Sequence, residues 1–444
     1  MADTIEKKPR YFYGWNIVAA SFLTRLSYAE HHSSMLGFFF KPFQNEFGWS
    51  RSAIAAVQTI ARFMEALFAP IVGPLIDRYG PRVLIPIGAF VIGLAMLGVT
   101  QIDTLWQFYM LRGAVAAIGF SLIGGMVVDV AVNNWFIRKR GRAIAIGRLG
   151  GGISNIIFVP LTVYVIAASG WRPMFVIFAL FTWLVVLIPS AILMRRRPED
   201  MGLYPDGITP YSAETAGRQV GETPIGEAVS PPEPLWNRRE LLVTGSFWLL
   251  TFCFAIDGFV HQGINISLAP YIQDLGYDNA TLAAVMTFRP IVASLSLPLM
   301  GLLAEHAHRG IVRVIPFIVQ SMSAFAFILA DEPIFLWLAM ALYGLGFSGV
   351  AVVQEVVWAN YFGRLNLGLV RSSAYLIVLS FGAAGPIIIN AVFDTLGSYK
   401  PAFVYISASF ILTAFVVGLT RPPKAHRYGT ATAMRPSTGG RRRH

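Results

Sequence analysis

Apolar runs of roughly 20 residues or more recur along the whole chain, separated by short polar connections, and this spacing leaves few folds open. A helix of that length rises about 30 Å, the thickness of bilayer hydrocarbon. Backbone groups inside hydrocarbon must pair within their own segment, so each run is expected as a helix. Hydrophobicity within the runs is continuous, not alternating, which excludes an outer-membrane barrel. Only 13% of the 444 residues are charged and 55% are hydrophobic, where a soluble domain carries about 25% charged residues. Lipid is therefore part of the solvent. The pattern predicts an all-α integral membrane protein with twelve transmembrane helices, near 15–40, 52–75, 83–102, 105–128, 142–168, 172–194, 243–270, 279–303, 311–330, 334–358, 369–393 and 400–420. The polar first 14 residues and the long run that follows do not fit a cleavable signal peptide.

The chain also repeats itself. Shifted by about 227 positions, Lys41-Pro-Phe-Gln-Asn-Glu-Phe-Gly-Trp49 falls on Ala269-Pro-Tyr-Ile-Gln-Asp-Leu-Gly-Tyr277. In the same register Arg62 falls on Arg289, Asn134-Trp-Phe136 on Asn360-Tyr-Phe362, and Trp171-Arg-Pro-Met-Phe175 on Tyr399-Lys-Pro-Ala-Phe403. Two pseudo-symmetric six-helix bundles are expected, residues 1–194 and 242–420, related by an axis along the membrane normal. Between them, residues 195–241 form a linker, with Pro198, Pro205, Pro210, Pro224, Pro231, Pro232 and Pro234 among Glu, Gly, Ser and Thr. Residues 421–444 form a tail. Two copies of one apolar unit are the organisation of a secondary transporter, with a substrate site between the copies.

The net charge of +11 does not indicate a nucleic-acid partner, because the charges are sorted by side. Clusters such as Arg138, Lys139, Arg140 and Arg142, and Arg195, Arg196 and Arg197, all fall on one predicted face. The opposite face has Lys41, Arg51, Arg172 and Lys400. This asymmetry predicts a multi-pass protein of the cell (inner) membrane with both termini cytoplasmic, in contact with membrane lipid. Cys253 is the sole cysteine, so no internal disulfide forms. No Walker-type phosphate loop, metal-ligand spacing or soluble catalytic domain is present in the sequence. No cofactor, metal or enzymatic activity is expected, and the sequence names no protein partner.

Gly73-Pro-Leu-Ile-Asp-Arg-Tyr-Gly-Pro-Arg82, between the second and third predicted helices, resembles the cytoplasmic loop signature of the major facilitator superfamily, Gly-x-x-x-Asp-Arg-x-Gly-x-Arg. The second copy, Gly301-Leu-Leu-Ala-Glu-His-Ala-His-Arg-Gly310, keeps an acid at Glu305. A narrower resemblance is to the monocarboxylate transporter and oxalate–formate antiporter branch. It is carried by Trp135-Phe-Ile-Arg-Lys-Arg-Gly-Arg-Ala143, by Phe38-Phe-Phe-Lys-Pro-Phe43 with Phe47-Gly-Trp-Ser-Arg51, and by Arg289-Pro290. The resemblance implies a secondary active transporter of small monocarboxylate anions working by alternating access, with a proton as the coupling ion and Arg289 as the substrate-binding arginine. A carboxylate exchanger of the oxalate–formate type is the alternative, and a non-transporting carboxylate sensor is a reading from another class. The chain departs from the family where many members carry an Asp four residues before the helix 8 Arg and a Lys in helix 1. Here those positions are Val285 and Ser34, and no Lys lies in 369–393. The carboxylate-binding Arg carries over; the usual proton-coupling pair does not.

An arginine at the bilayer centre costs roughly 2.5–3.5 kcal/mol on insertion scales, so it is retained for a partner or a wet cavity. Arg289, flanked by apolar residues, suits a substrate carboxylate through its planar donor fork. Arg62, its repeat mate, has Glu65 one turn away and reads as a structural or gating intramembrane pair. The first predicted helix holds Arg25, Glu30, His31, His32 and Ser34; the seventh holds Asp257 and His261 on one face, with Gln262 and Asn265 beyond. His31, Ser34, Asp257, His261 and Asn265 join Arg289 as candidate substrate contacts. Asp257, His261, His31 and Glu30 are candidate proton-coupling groups, since imidazoles titrate near neutral pH. A satisfied polar seam is the competing reading for these residues. Asp77, Arg78, Arg82, Asp129, Arg142, Glu355 and Arg371 are expected as gating residues, because alternating access requires ion pairs that break and reform.

Overall fold

The protein is represented by a computed structural model that describes residues 11–136, 139–207, 233–305, 310–363, 367–423 and 427–429. Most of the predicted linker and of the tail lies outside these residues. Twelve long helical segments stand among them where the apolar runs predict them. We number these α1 (14–47), α2 (Arg51–Tyr79), α3 (Pro81–Val99), α4 (Leu105–Trp135), α5 (Arg140–Ser169), α6 (Arg172–Leu193), α7 (Gly245–Asp274), α8 (Asn279–Glu305), α9 (Gly310–Ile328), α10 (Pro333–Phe362), α11 (Leu367–Leu396) and α12 (Lys400–Leu419). Ten of them, all except α1 and α9, are long and apolar enough to cross a membrane.

Local chemistry sets the boundaries. Gly48 takes φ +69°, a left-handed conformation that ends α1, and Ser50 accepts a hydrogen bond from the Ala53 N–H to open α2. Gly80, at φ +74°, separates α2 from α3, with Pro81 at the first helical position of α3. A reciprocal cap between Thr104 and Gln107 starts α4.

The sequence predicts one unbroken first helix, and the structure corrects this. α1 consists of Gly14–Leu26, a 3₁₀ turn at Ser27–His31, a helical turn at Ser33–Leu36, a second 3₁₀ turn at Gly37–Phe39, and Phe40–Phe47. His32 is extended, at ψ 136°. Short polar side chains compete for backbone bonds here, and a neighbouring helix replaces those that are lost. The Ser154 hydroxyl of α5 donates to the Leu26 carbonyl and accepts the Ala29 N–H at 3.0 Å. α4 is interrupted too: a π-helical stretch spans Tyr109–Val115, and Gly124 turns out of the helix at ψ 165°. The Tyr28 hydroxyl donates to the carbonyl of Ile123 beside that break, at 2.7 Å. A second π-helical stretch, Thr182–Leu187, lies in α6. Irregular backbone at membrane depth is tolerated where protein satisfies it or a cavity is lined by it.

Packing divides the chain into two compact units. One gathers Met1–Arg218, His261–Ile291 and Ala383–Ala402; the other gathers Gln219–Val260, Val292–Gly382 and Phe403–His444. In the first unit α3 and α4 approach backbone to backbone: a Cβ at Gly88 would meet the Gly119 carbonyl oxygen at 2.7 Å. Phe43 packs against Phe47, Trp49, Phe108 and Trp171 in the same unit. In the second unit the Tyr361 hydroxyl joins Arg313 of α9 to the Thr420 carbonyl, and Ser296 bonds Ser348 at 2.6 Å. Two short strands not predicted from sequence, β1 (Glu233–Leu235) and β2 (Arg427–Gly429), pair antiparallel there.

Candidate functional site

The breaks in α1, α4 and α6 converge on Glu30. The residue is 4% exposed, and its Oε1 accepts the Thr182 hydroxyl at 2.8 Å. Arg112, from the π-helical stretch of α4, donates to the Glu30 backbone carbonyl. Such bulges recur at functional sites because they swing a side chain off the regular helical face. Beside the next residue, His31, Glu65 of α2 lies 2.5 Å from the ring Nε2 and 3.1 Å from Arg62. The His31 ring stacks on Phe120 with centroids 4.2 Å apart. The expected Arg62–Glu65 pair is therefore present, and His31 joins it.

Several buried polar atoms in this region have no hydrogen-bond partner: both amide atoms of Gln58, Nε of Arg62, Nδ1 of His31, one terminal nitrogen of Arg112, Oε2 of Glu30 and Oε1 of Glu65, which meets His31 as an ion pair only. Gln58 is only 1% exposed. Gln58, Arg62 and Glu65 follow one another at four and three residues, which places them on one stripe of α2. Buried polar atoms are ordinarily paired, so this group marks a place for water or a polar ligand.

Arg289 is half-buried in α8. His32 and His261 both sit within its electrostatic reach and within that of Arg62. The two repeat-related arginines therefore act on one neighbourhood of the first unit. His261 contacts Asn265 at 2.8 Å, and the Ser33 hydroxyl donates to Gln262 at 2.8 Å. Ser34 and Asn265 are buried. Asp257 falls in the second unit, where its Oδ1 is buried without a hydrogen bond.

Of the expected gating residues, Asp129 is paired with Arg25 at 2.7 Å and with Arg148 at 3.0 Å, neither of which the sequence assigns to it. Arg78, Arg82, Arg142 and Arg371 are exposed. The side chains of Asp77 and Glu355 lie outside the described residues.

A second ion-pair centre was not foreseen. Arg51, with a side chain 4% exposed, grips Asp274 through two nitrogens at 2.6 and 3.0 Å. Its guanidinium lies 3.7 Å from the Phe393 ring centroid and 3.2 Å from the Tyr399 hydroxyl. Asp394 of α11 caps α2, accepting the N–H groups of Arg51 at 3.1 Å and Ser52 at 2.8 Å. Lys41 approaches Asp274 at 3.3 Å. Deeper along the same helices, Gly37 lies against the Ile266 carbonyl and the Thr59 hydroxyl donates to the Ala383 carbonyl. Within the first unit, α1 and α2 are thus fastened to the adjoining parts of α7 and α11. Beside the latch, Glu46 pairs with Arg172 at 2.6 Å and accepts the Trp171 N–H; Arg172 chiefly, then Trp171, holds its carboxyl below the ordinary range. The available sequence signal for the latch was the scarcity of cations on that face.

The sequence profile of the Major Facilitator Superfamily matches residues 32–354. Monocarboxylate transporter 2 of Homo sapiens is 23% identical over 436 residues, 94% of this chain and 87% of the relative. The oxalate:formate antiporter of Oxalobacter formigenes is 23% identical over 271 residues, 60% of this chain and 58% of the relative. Among solved structures, a D-xylose-proton symporter superposes with a TM-score of 0.68 at 12% identity, covering 93% of this chain and 98% of the other. A nucleoside transporter gives a TM-score of 0.68 at 13% identity, covering 93% and 100%.

Proposed function

Since this chain belongs to the Major Facilitator Superfamily, and is a multi-pass membrane transporter rather than an enzyme, we propose that it carries small monocarboxylate anions by alternating access with a coupled proton. The observation that carries this reading is that the two cations Arg62 and Arg289 act on one neighbourhood, which holds His32 and His261 and lies next to buried donors without partners. An arginine fork binds a carboxylate through two parallel bonds, and a low-dielectric surround strengthens both. The apolar walls of such a site suit a short organic tail. Monocarboxylate transporter 2 and the oxalate:formate antiporter, which this chain resembles along its length or over more than half of it, are named for substrates of this chemistry.

Transport then alternates between two closures. We place the Arg51–Asp274–Asp394 latch at the outer end and the Asp77–Arg82 loop, with Asp129 and its arginine partners, at the cytoplasmic end. The repeat halves 1–194 and 242–420 are the moving bodies, joined by the linker, with both termini in the cytoplasm of a cell whose inner membrane holds the protein.

Uptake of labelled L-lactate and pyruvate into proteoliposomes tests this. Arg289→Lys keeps the charge but loses the fork; it is expected to raise half-saturation at least ~10-fold, about 1.4 kcal/mol of binding. An unchanged half-saturation would remove Arg289 from the site. Exchange is the second reading, favoured by two guanidiniums in one neighbourhood, an arrangement that also suits a dianion. Uptake that requires carboxylate inside the vesicle would identify it.

A further inference from the structure

A carrier that takes up a proton with its anion needs a titrating group close to a substrate-binding cation, and the position one turn before Arg289 holds Val285, which cannot titrate. Three acids are candidates. Glu30 is 4% exposed, bonded to Thr182 and tied by its backbone to Arg112, and it supports the broken part of α1. Asp257 lies in the second unit, and none of its described bonds reaches a cation. Glu65 differs from both. Its carboxylate lies 2.5 Å from His31 and 3.1 Å from Arg62, and of the three it is the one whose side chain forms an ion pair among the described residues.

We propose that Glu65 is the proton-binding group of this carrier: in the empty site its carboxylate occupies Arg62 and His31, and its protonation releases both to the substrate carboxylate. The inference rests on the carboxylate-carrier reading above. Glu65 is, in effect, a tethered stand-in for the substrate, a carboxylate already bound to the guanidinium that the substrate needs. A neutral carboxyl no longer balances the Arg62 charge, and the incoming anion restores the balance. One proton and one anion thus enter the site together, and its net charge does not change. On the opposite side both leave, and Glu65 pairs again with Arg62 and His31. Gln58, one turn before Arg62 with both amide atoms unpartnered and 1% exposed, supplies further polar contacts on the same stripe.

The charged and titratable groups facing Glu65 come from three helices: Tyr28 and His31 of α1, Arg62 of α2 and Arg112 of α4. His32 of α1 and His261 of α7 sense Arg62, and both also sense Arg289 of α8. Arg62 and Arg112 dominate this surround, which favours one anion at a time, either Glu65 or the substrate.

The full-length chain in proteoliposomes tests the proposal, with labelled L-lactate and pyruvate as probes. Two assays are run on each protein: counterflow at equal pH, and accumulation driven by an inward proton gradient. The wild type is expected to do both, with half-saturation falling as the pH falls. Glu65→Gln is expected to separate them: counterflow persists with a half-saturation that no longer depends on pH, and gradient-driven accumulation drops at least ~10-fold. Glu65→Gln that retains gradient-driven accumulation and the wild-type pH dependence overturns the proposal. Wild-type counterflow without gradient-driven uptake also overturns it, but leaves the carrier reading intact. A wild type with no carboxylate flux defeats the carrier reading itself. If Glu65→Gln is not recovered folded, Glu65→Asp retains a carboxyl on a shorter arm. Its pH midpoint for uptake is expected to shift, and an unchanged midpoint counts against Glu65.

Discussion

The Arg51 guanidinium meets the Asp274 carboxylate, a phenol and an aromatic face, and the residue's backbone N–H donates to Asp394. Removing one partner of a buried ion pair costs about 3–5 kcal/mol because the other charge is left unpaired. Here that cost falls on the fastened latch alone, so Arg51→Ala or Asp274→Asn is expected to favour its opening. Cys253 is the sole cysteine, so a Cys253→Ala background with Ser267→Cys, a buried position on α7, reports opening by reaction with an impermeant thiol reagent. Labelling from outside is expected to accelerate roughly 10-fold in either latch variant, for a shift of about 1.4 kcal/mol or more; an unchanged rate argues against an outer gate. Arg289, Arg62, Glu65 and His31 were legible in the sequence because a charge within an apolar run is costly and conspicuous. Arg51 and Asp274 were not. Both lie at run ends, where charges are ordinary, and they meet across 223 positions of chain.

At the scale of elements, period and length predict the helices, but not where they break. The departures in α1 and α4 depend on side chains from other helices, Ser154 and Tyr28, which no local pattern reveals. Ser154→Ala would leave the Leu26 carbonyl and the Ala29 N–H buried without that partner. A cost of about 1–3 kcal/mol is expected, seen as a lower thermal midpoint in detergent. Ser121→Ala is the control, since Ser121 bonds only within its own helix, to the Ala117 carbonyl. Equal midpoints for the two variants would mean that α1 does not need the α5 hydroxyl. The broken segment carries Glu30, His31 and His32. An unbroken helix would space these residues regularly and could not turn them as the 3₁₀ turn does.

At the scale of the molecule, the 227-residue shift in the sequence accounts for the paired arginines: Arg62 and Arg289 occupy equivalent positions and act on the same histidines. The repeat does not extend to their partners. Glu65 stands near Arg62, whereas the position three residues after Arg289 is Val292. That asymmetry gives Arg62 an internal carboxylate partner that the repeat does not supply to Arg289 at the equivalent position. Unequal use of the two halves is visible only once His31 is brought beside Glu65, because the sequence places them 34 positions apart. The most direct measurement is uptake of labelled L-lactate and pyruvate into proteoliposomes, with and without an inward proton gradient. Saturable uptake accelerated by the gradient is the expected result. The absence of flux, both with the gradient and with carboxylate loaded inside, would contradict carboxylate transport.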